Sequence, residues 1–195
     1  MRGSTIANCK MQNAKCKLEE EAERRGRIWP LLGLLIVAGV ALVAIQMRRP
    51  KPPNPWVGWA LPPLEAGGWL NTEGPLSADD LRGKVVLVDF WATSCPTCLS
   101  HTPELVAFHQ RFRDHGLTLV GLTHESGEEI ERVRAYVESA GIDWPIGYGA
   151  GFTFELLGIA GTPTYVLYNR SGRSVWGGHS LDGLDDAAVA ALAKK

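Results

Sequence analysis

Residues 84–91 read KVVLVDFW, an apolar run broken by a single acid, and a run of this length without alternation predicts a central strand buried on both faces. Further along, residues 103–115 place Leu105, Phe108 and Phe112 on one helical face before Gly116 stops the pattern. Residues 117–123 predict a second strand, 128–140 a helix closed by Gly141, 144–148 a short strand and 152–157 a short helical piece. Residues 164–168 and 173–178 flank the turn Asn169-Arg170-Ser171-Gly172 and predict a hairpin, with a last helix over 184–193. The order β-α-β-α-β-(α)-β-β-α implies an α/β fold, a sheet with helices on both faces.

Upstream, residues 28–47 (IWPLLGLLIVAGVALVAIQM) hold no formal charge over twenty positions. As a helix rising about 1.5 Å per residue, this segment matches the roughly 30 Å of a bilayer's hydrocarbon core and predicts one transmembrane helix. Its apolar part is longer than that of a cleaved signal peptide, and no small-x-small pattern lies between Val43 and Pro50, which predicts an uncleaved signal-anchor. Lys10, Lys15, Lys17, Arg24, Arg25 and Arg27 precede it, against Arg48, Arg49 and Lys51 after it, so the N-terminus is expected in the cytoplasm. Four prolines at positions 50, 52, 53 and 55 then form an extended spacer. The expected organisation is a cytoplasmic tail (1–27), a transmembrane signal-anchor (28–47), a proline-rich linker (48–60) and a folded domain (61–195).

Composition changes this picture little. Over 195 residues, 45% hydrophobic and 21% charged positions exclude a disordered, collagenous or polytopic membrane chain. The net charge of −1 hides a basic tail and a mildly acidic remainder, and no basic patch suggests nucleic acid as a partner.

The candidate chemistry lies at Cys95-Pro96-Thr97-Cys98, directly after the buried strand and at the start of a helix. A thiolate there meets free N–H groups and the positive end of the helix dipole, which lower its pKa and make it a nucleophile at neutral pH. Pro96 loses nothing in a first turn that has no use for its missing N–H. Half of a zinc site is the other reading of the pair, but a second ligand pair is required, and Cys9 and Cys16 lie across the predicted membrane with unsuitable spacing.

The segment VDFWATSCPTC resembles the active-site segment of thioredoxins. Together with the anchor, the acidic helical insertion and GIAGTPTYVLYNRSGRSVW, it is most similar to the membrane-anchored TlpA/ResA-like thiol-disulfide oxidoreductases, which include thioredoxin-like proteins of cytochrome c maturation. The resemblance covers roughly 61–195 and implies a thioredoxin fold, a central mixed sheet with helices on both faces. It implies catalytic roles for Cys95, Cys98 and the acid Asp89, a cis bond at Thr162-Pro163 opposite the cysteines, and a substrate segment lying against Thr162, Pro163 and Trp91. Three residues depart from it: Ser94 stands where many relatives have Trp, His101 where many have Glu, and Asp89 where many of the TlpA/ResA group have Asn.

In this reading Cys95 attacks a substrate disulfide and Cys98 resolves the mixed disulfide. Asp89, in an apolar strand, has its pKa raised toward the range useful for moving the proton of Cys98. His101, one turn beyond Cys98, is a candidate for tuning that proton. No cofactor or metal is expected beyond the Cys95–Cys98 disulfide. The expected partners are protein disulfides or dithiols and a membrane electron donor, and the expected location of the domain is the periplasm or an equivalent extracytoplasmic space. A peroxiredoxin is disfavoured because Ala92 stands where its Thr would be. A Sco-like copper carrier, with His179 joining the cysteines, is the alternative, disfavoured by the two-residue spacing.

Overall fold

The computed structural model describes Gly39 and residues 55–194. The chain divides into two units, Met1–Pro52 and Pro53–Lys195. Apart from Gly39, the predicted membrane helix (28–47) lies outside the described residues, as do the tail 1–27 and residues 48–54. Among the described residues no helix is long and apolar enough to cross a membrane.

The second unit is built on a six-stranded sheet in the order β1-β4-β3-β2-β5-β6. Its strands are β1 (Gly68–Leu70), β2 (Val85–Phe90), β3 (Leu117–Leu122), β4 (Ile146–Tyr148), β5 (Thr164–Tyr168) and β6 (Ser174–Gly178). Five helices connect them: α1 (Ala78–Leu81), α2 (Pro96–Phe112), α3 (Ile130–Ser139), α4 (Gly151–Leu156) and α5 (Leu184–Ala193). β2 runs parallel to β3 and antiparallel to β5, and β3 runs parallel to β4, so the sheet is mixed, as expected. All six residues of β2 are buried, which is why its sequence shows no alternation.

Alternation nevertheless sorts β2 between two cores. Val85, Leu87 and Trp91 face Leu105, Phe108 and Phe112 of α2, Val133 of α3 and Ala188 of α5. Val86, Val88 and Phe90 face Leu81 of α1, Phe154 of α4 and Leu64. Helices therefore cover both faces, and Asp89 falls by alternation on the α2 side.

Two elements escape the sequence pattern. β1 is three residues paired antiparallel to β4, and Gly68 leaves the space that the Tyr148 ring fills. The four residues of α1 begin with a capping box, in which the Ser77 hydroxyl accepts the N–H of Asp80 and the Asp80 carboxylate accepts the N–H of Ser77.

α2 begins at Pro96, seven positions before the periodic stretch predicted from 103, and runs through Pro103. A proline inside a helix strands the carbonyl four residues earlier. That carbonyl is Leu99 O, and the Tyr136 hydroxyl of α3 approaches it at 3.5 Å. The helix passes into a short 3-10 turn and stops at Gly116, whose φ of 89° only glycine adopts cheaply.

Candidate active site

The loop 91–95 leaves the end of β2 and delivers Cys95 as the residue capping α2. Cys95 and Cys98 are joined in a disulfide, with Cα atoms 5.3 Å apart. The Cys95 sulfur accepts the backbone N–H of Cys98 at 3.1 Å, so it already sits on one of the free donors of the helix start. Cys95 is 9% exposed and Cys98 is 4% exposed, which leaves the first residue the more accessible of the two. Further along the same turn, the Thr102 hydroxyl donates to Cys98 O at 3.1 Å and accepts from the Tyr136 hydroxyl at 2.7 Å.

Asp89 lies on the Cys98 side of β2 and is 6% exposed. Its Oδ1 has no hydrogen-bond partner among the described residues. Desolvation pushes its carboxyl from an ordinary 3.8 up to about 8. The elevated acid expected from the sequence is thus present, and its cause is the apolar burial inferred there.

The Thr162-Pro163 bond is cis. Because Thr164 pairs with Phe90, Pro163 stands just past the edge of the sheet from which the redox loop departs. Its carbonyl lies 2.8 Å from His179 Nδ1, and the Thr164 hydroxyl lies 3.1 Å from the same nitrogen. His179 thus holds the proline loop through its Nδ1. Trp56 meets the His179 ring edge-on at 5.0 Å.

Other predicted residues are placed differently from expectation. Trp91, 3% exposed, packs beneath the redox loop with its ring 5.6 Å from that of Tyr136, and presents almost no surface to a substrate. His101 Nδ1 is 3.0 Å from the Tyr165 hydroxyl, so the imidazole is engaged by β5. The Tyr165 phenol is itself driven well above its ordinary pKa, first by burial and then by the charges of Asp89 and Glu104. His109 is buried: its Nδ1 is 2.9 Å from Asp143 Oδ1 and its ring meets Trp144 edge-on. His124 is exposed and lies against Phe154.

One residue not expected from the sequence, Glu125, completes the site. Glu125 is 2% exposed and accepts hydrogen bonds from Thr93 N at 2.9 Å, from the Thr93 hydroxyl, and from the Thr123 hydroxyl at 2.9 Å. In the sequence it stands beside Glu128, Glu129 and Glu131 and reads as part of a solvated acidic loop. The signal that could have found it is its place three residues past the end of β3.

The profile of the family described as Redoxin matches residues 60–178. Protein DipZ of Mycobacterium tuberculosis is 42% identical over 85 residues, which is 40% of this chain and 12% of DipZ. The chain thus spans only a small part of that relative's length. The thiol-disulfide oxidoreductase ResA of Halalkalibacterium halodurans is 25% identical over 161 residues, covering 78% of this chain and 86% of ResA. Among solved structures, a thioredoxin-like superfamily protein aligns with a TM-score of 0.63 at 24% identity, covering 70% of this chain and 97% of that one, a likeness that shows the fold.

Proposed function

The chain belongs to the Redoxin family and to its TlpA/ResA-type group, and from that premise we propose that it is a membrane-anchored reductase of extracytoplasmic protein disulfides. The observation that carries the reading is the Cys95–Cys98 disulfide at the start of α2, with the Cys95 sulfur resting on a helix N–H. The same donor that the disulfide sulfur accepts stabilises a Cys95 thiolate once the bond is opened.

In the reduced chain the Cys95 thiolate attacks one sulfur of a substrate disulfide. The substrate S–S bond breaks, its other sulfur leaves as a thiolate that takes up a proton, and a mixed disulfide remains on Cys95. Cys98 then gives up its proton and attacks the Cys95 sulfur, releasing the second substrate thiol and forming the Cys95–Cys98 disulfide. The substrate gains two electrons and the chain loses two, which a dithiol donor on the membrane must restore. Asp89, held near pKa 8 on the Cys98 face, is the group suited to take the Cys98 proton near neutral pH. Pro163 offers no N–H at the rim of the site, and the backbone of Thr162 beside it, which has no hydrogen-bond partner among the described residues, can pair with an extended substrate segment.

Insulin reduction by the purified chain tests this. Wild type is expected to turn over, Cys95→Ser to be inactive, and Cys98→Ser to accumulate a mixed disulfide that mass spectrometry identifies. Full activity in Cys95→Ser would refute the choice of nucleophile.

A further inference from the structure

Residues 91–94, Trp-Ala-Thr-Ser, join β2 to Cys95, and a short segment of this kind has many conformations available in isolation. Within the loop, Cys95 N donates to Ala92 O at 3.2 Å. At its start Trp91 N donates to Leu122 O of β3 at 3.0 Å, and nearer Cys95 the bonds that leave the loop are those donated by Thr93, from its N–H and its hydroxyl, to the carboxylate of Glu125. Glu125 in turn stands on a rigid frame. Its backbone carbonyl accepts Gly149 N at 2.8 Å, the Thr123 carbonyl accepts Ala150 N at 2.9 Å, and the Thr123 hydroxyl donates to the carboxylate at 2.9 Å.

A carboxylate buried to 2% exposure is costly unless donors satisfy it, and this one spends two of its three on a single residue of the redox loop. Burying a charge to fix a turn that a neutral side chain could hold is a poor stability device. Its value lies in position: Thr93 is two residues before Cys95. In the oxidised chain the disulfide itself pins Cys95 to α2. Once that bond opens, in the reduced and mixed-disulfide states, the pin is gone and the Thr93–Glu125 clamp remains.

We propose that Glu125 is a positioning residue that, through Thr93, holds the Cys95 nucleophile in attacking geometry during the open states of the cycle. This rests on the reading of Cys95 as the nucleophile. Small displacements of a reacting group cost rate steeply, up to about 100-fold for 1 Å, so a clamp this close to the sulfur acts on exchange more than on folding.

The test uses the full-length chain in detergent, reduced, with the rate of insulin reduction at pH 7 and the thermal midpoint of the oxidised form measured in parallel. Glu125→Gln, which replaces one acceptor oxygen by an amide donor facing Thr93, is expected to slow exchange about 10-fold. Thr93→Val, which removes the hydroxyl but keeps the shape, is expected to slow it several-fold, and Thr93→Ser, which keeps both donors, to lie within twofold of wild type. The double variant Thr93→Val/Glu125→Gln is expected to be no slower than Glu125→Gln alone, because both changes break one clamp. Exchange within twofold of wild type in Glu125→Gln, additive losses in the double variant, or Thr93→Ser as slow as Thr93→Val would each overturn the proposal. Should Glu125→Gln fail to fold, the Thr93 pair decides by the same criteria. A Cys95→Ser control separates the two levels: if it is inactive while Glu125→Gln is normal, the clamp alone fails, and if it is active, the nucleophile assignment fails and the clamp with it.

Discussion

Asp89 lies directly opposite Tyr165 across the β2–β5 ladder, and its other cross-strand neighbour is Gly121 of β3. The buried carboxyl thus has a phenol on one flank and no side chain on the other. Residues paired in this way share a sheet face, here the face that carries Cys98.

Asp89 should make stability fall with pH. Its carboxyl titrates at about 8 in the folded chain against an ordinary 3.8, so between those values the native state holds a proton that the unfolded chain has released. Stability contributed by this group is present below pH 4, drains away as pH rises, and is at its lowest above pH 8. The full interval sets a ceiling of about 6 kcal/mol on the loss. Asp89→Asn should lack this slope, so its urea midpoint should exceed that of wild type by a margin that widens from pH 4 to pH 8. A constant margin would show that Asp89 does not change its charge on that interval.

The same substitution should slow exchange. With no acceptor for the Cys98 proton, resolution of the mixed disulfide should be about 10-fold slower or worse from pH 6 to 8. Equal rates for wild type and Asp89→Asn would make Asp89 a structural acid and direct attention to His101.

Gly121→Ala should destabilise the fold by about 1–3 kcal/mol. An added Cβ would collide with Ile146 Cδ1 and stand 3.1 Å from Trp91 Nε1 and 3.4 Å from Trp144 Nε1, so two packed indoles as well as the isoleucine tip must give way. Urea unfolding at pH 6 measures this; an unchanged midpoint would mean that the core beside Asp89 is loosely packed.

Tyr165→Phe removes the hydroxyl 3.0 Å from His101 Nδ1 and should cost about 0.5–1.5 kcal/mol. His101 is only half-buried and recovers a bond from water, which places the loss toward the lower end. A loss above about 3 kcal/mol would indicate a larger network around that hydroxyl.

For topology, the basic excess before residue 28 leads to a fusion experiment. A phosphatase that works only outside the cytoplasm, joined after Lys195, should be active, and a fluorescent protein that matures only in the cytosol should be dark. The reverse pattern would put the cysteines in a reducing compartment.

What could be read in advance depended on how local each cause was. β2, the Cys-Pro-Thr-Cys start of α2 and the elevated Asp89 are set by residues adjacent in sequence, and all three were legible. The continuity of α2 through Pro103 was not, because Pro103 reads as a helix boundary until the hydroxyl of Tyr136, 33 positions along the chain, is seen beside the Leu99 carbonyl it strands. Glu125 and Tyr165 were missed for the same reason. An acid among acids and a tyrosine in a β-rich run look ordinary until the sheet brings one to Thr93 and the other to Asp89 and His101.

The two rims of the sheet bear on what this chain does near half-folded polypeptides. At the start of β6, Gly58 N donates to Ser174 O and Ser174 N to Trp59 O, and Leu61 N donates to Gly172 O just before the strand, so residues 58–61 cover the beginning of that edge. At the opposite rim, β1 offers only three residues. A bare strand edge is a template onto which any extended chain can add, and disulfide substrates caught before folding is complete are rich in such segments. With one rim covered at its start and the other this short, little edge is left for an extended visitor to pair with, and a disulfide substrate should meet the chain at the loop end, where the sulfurs are.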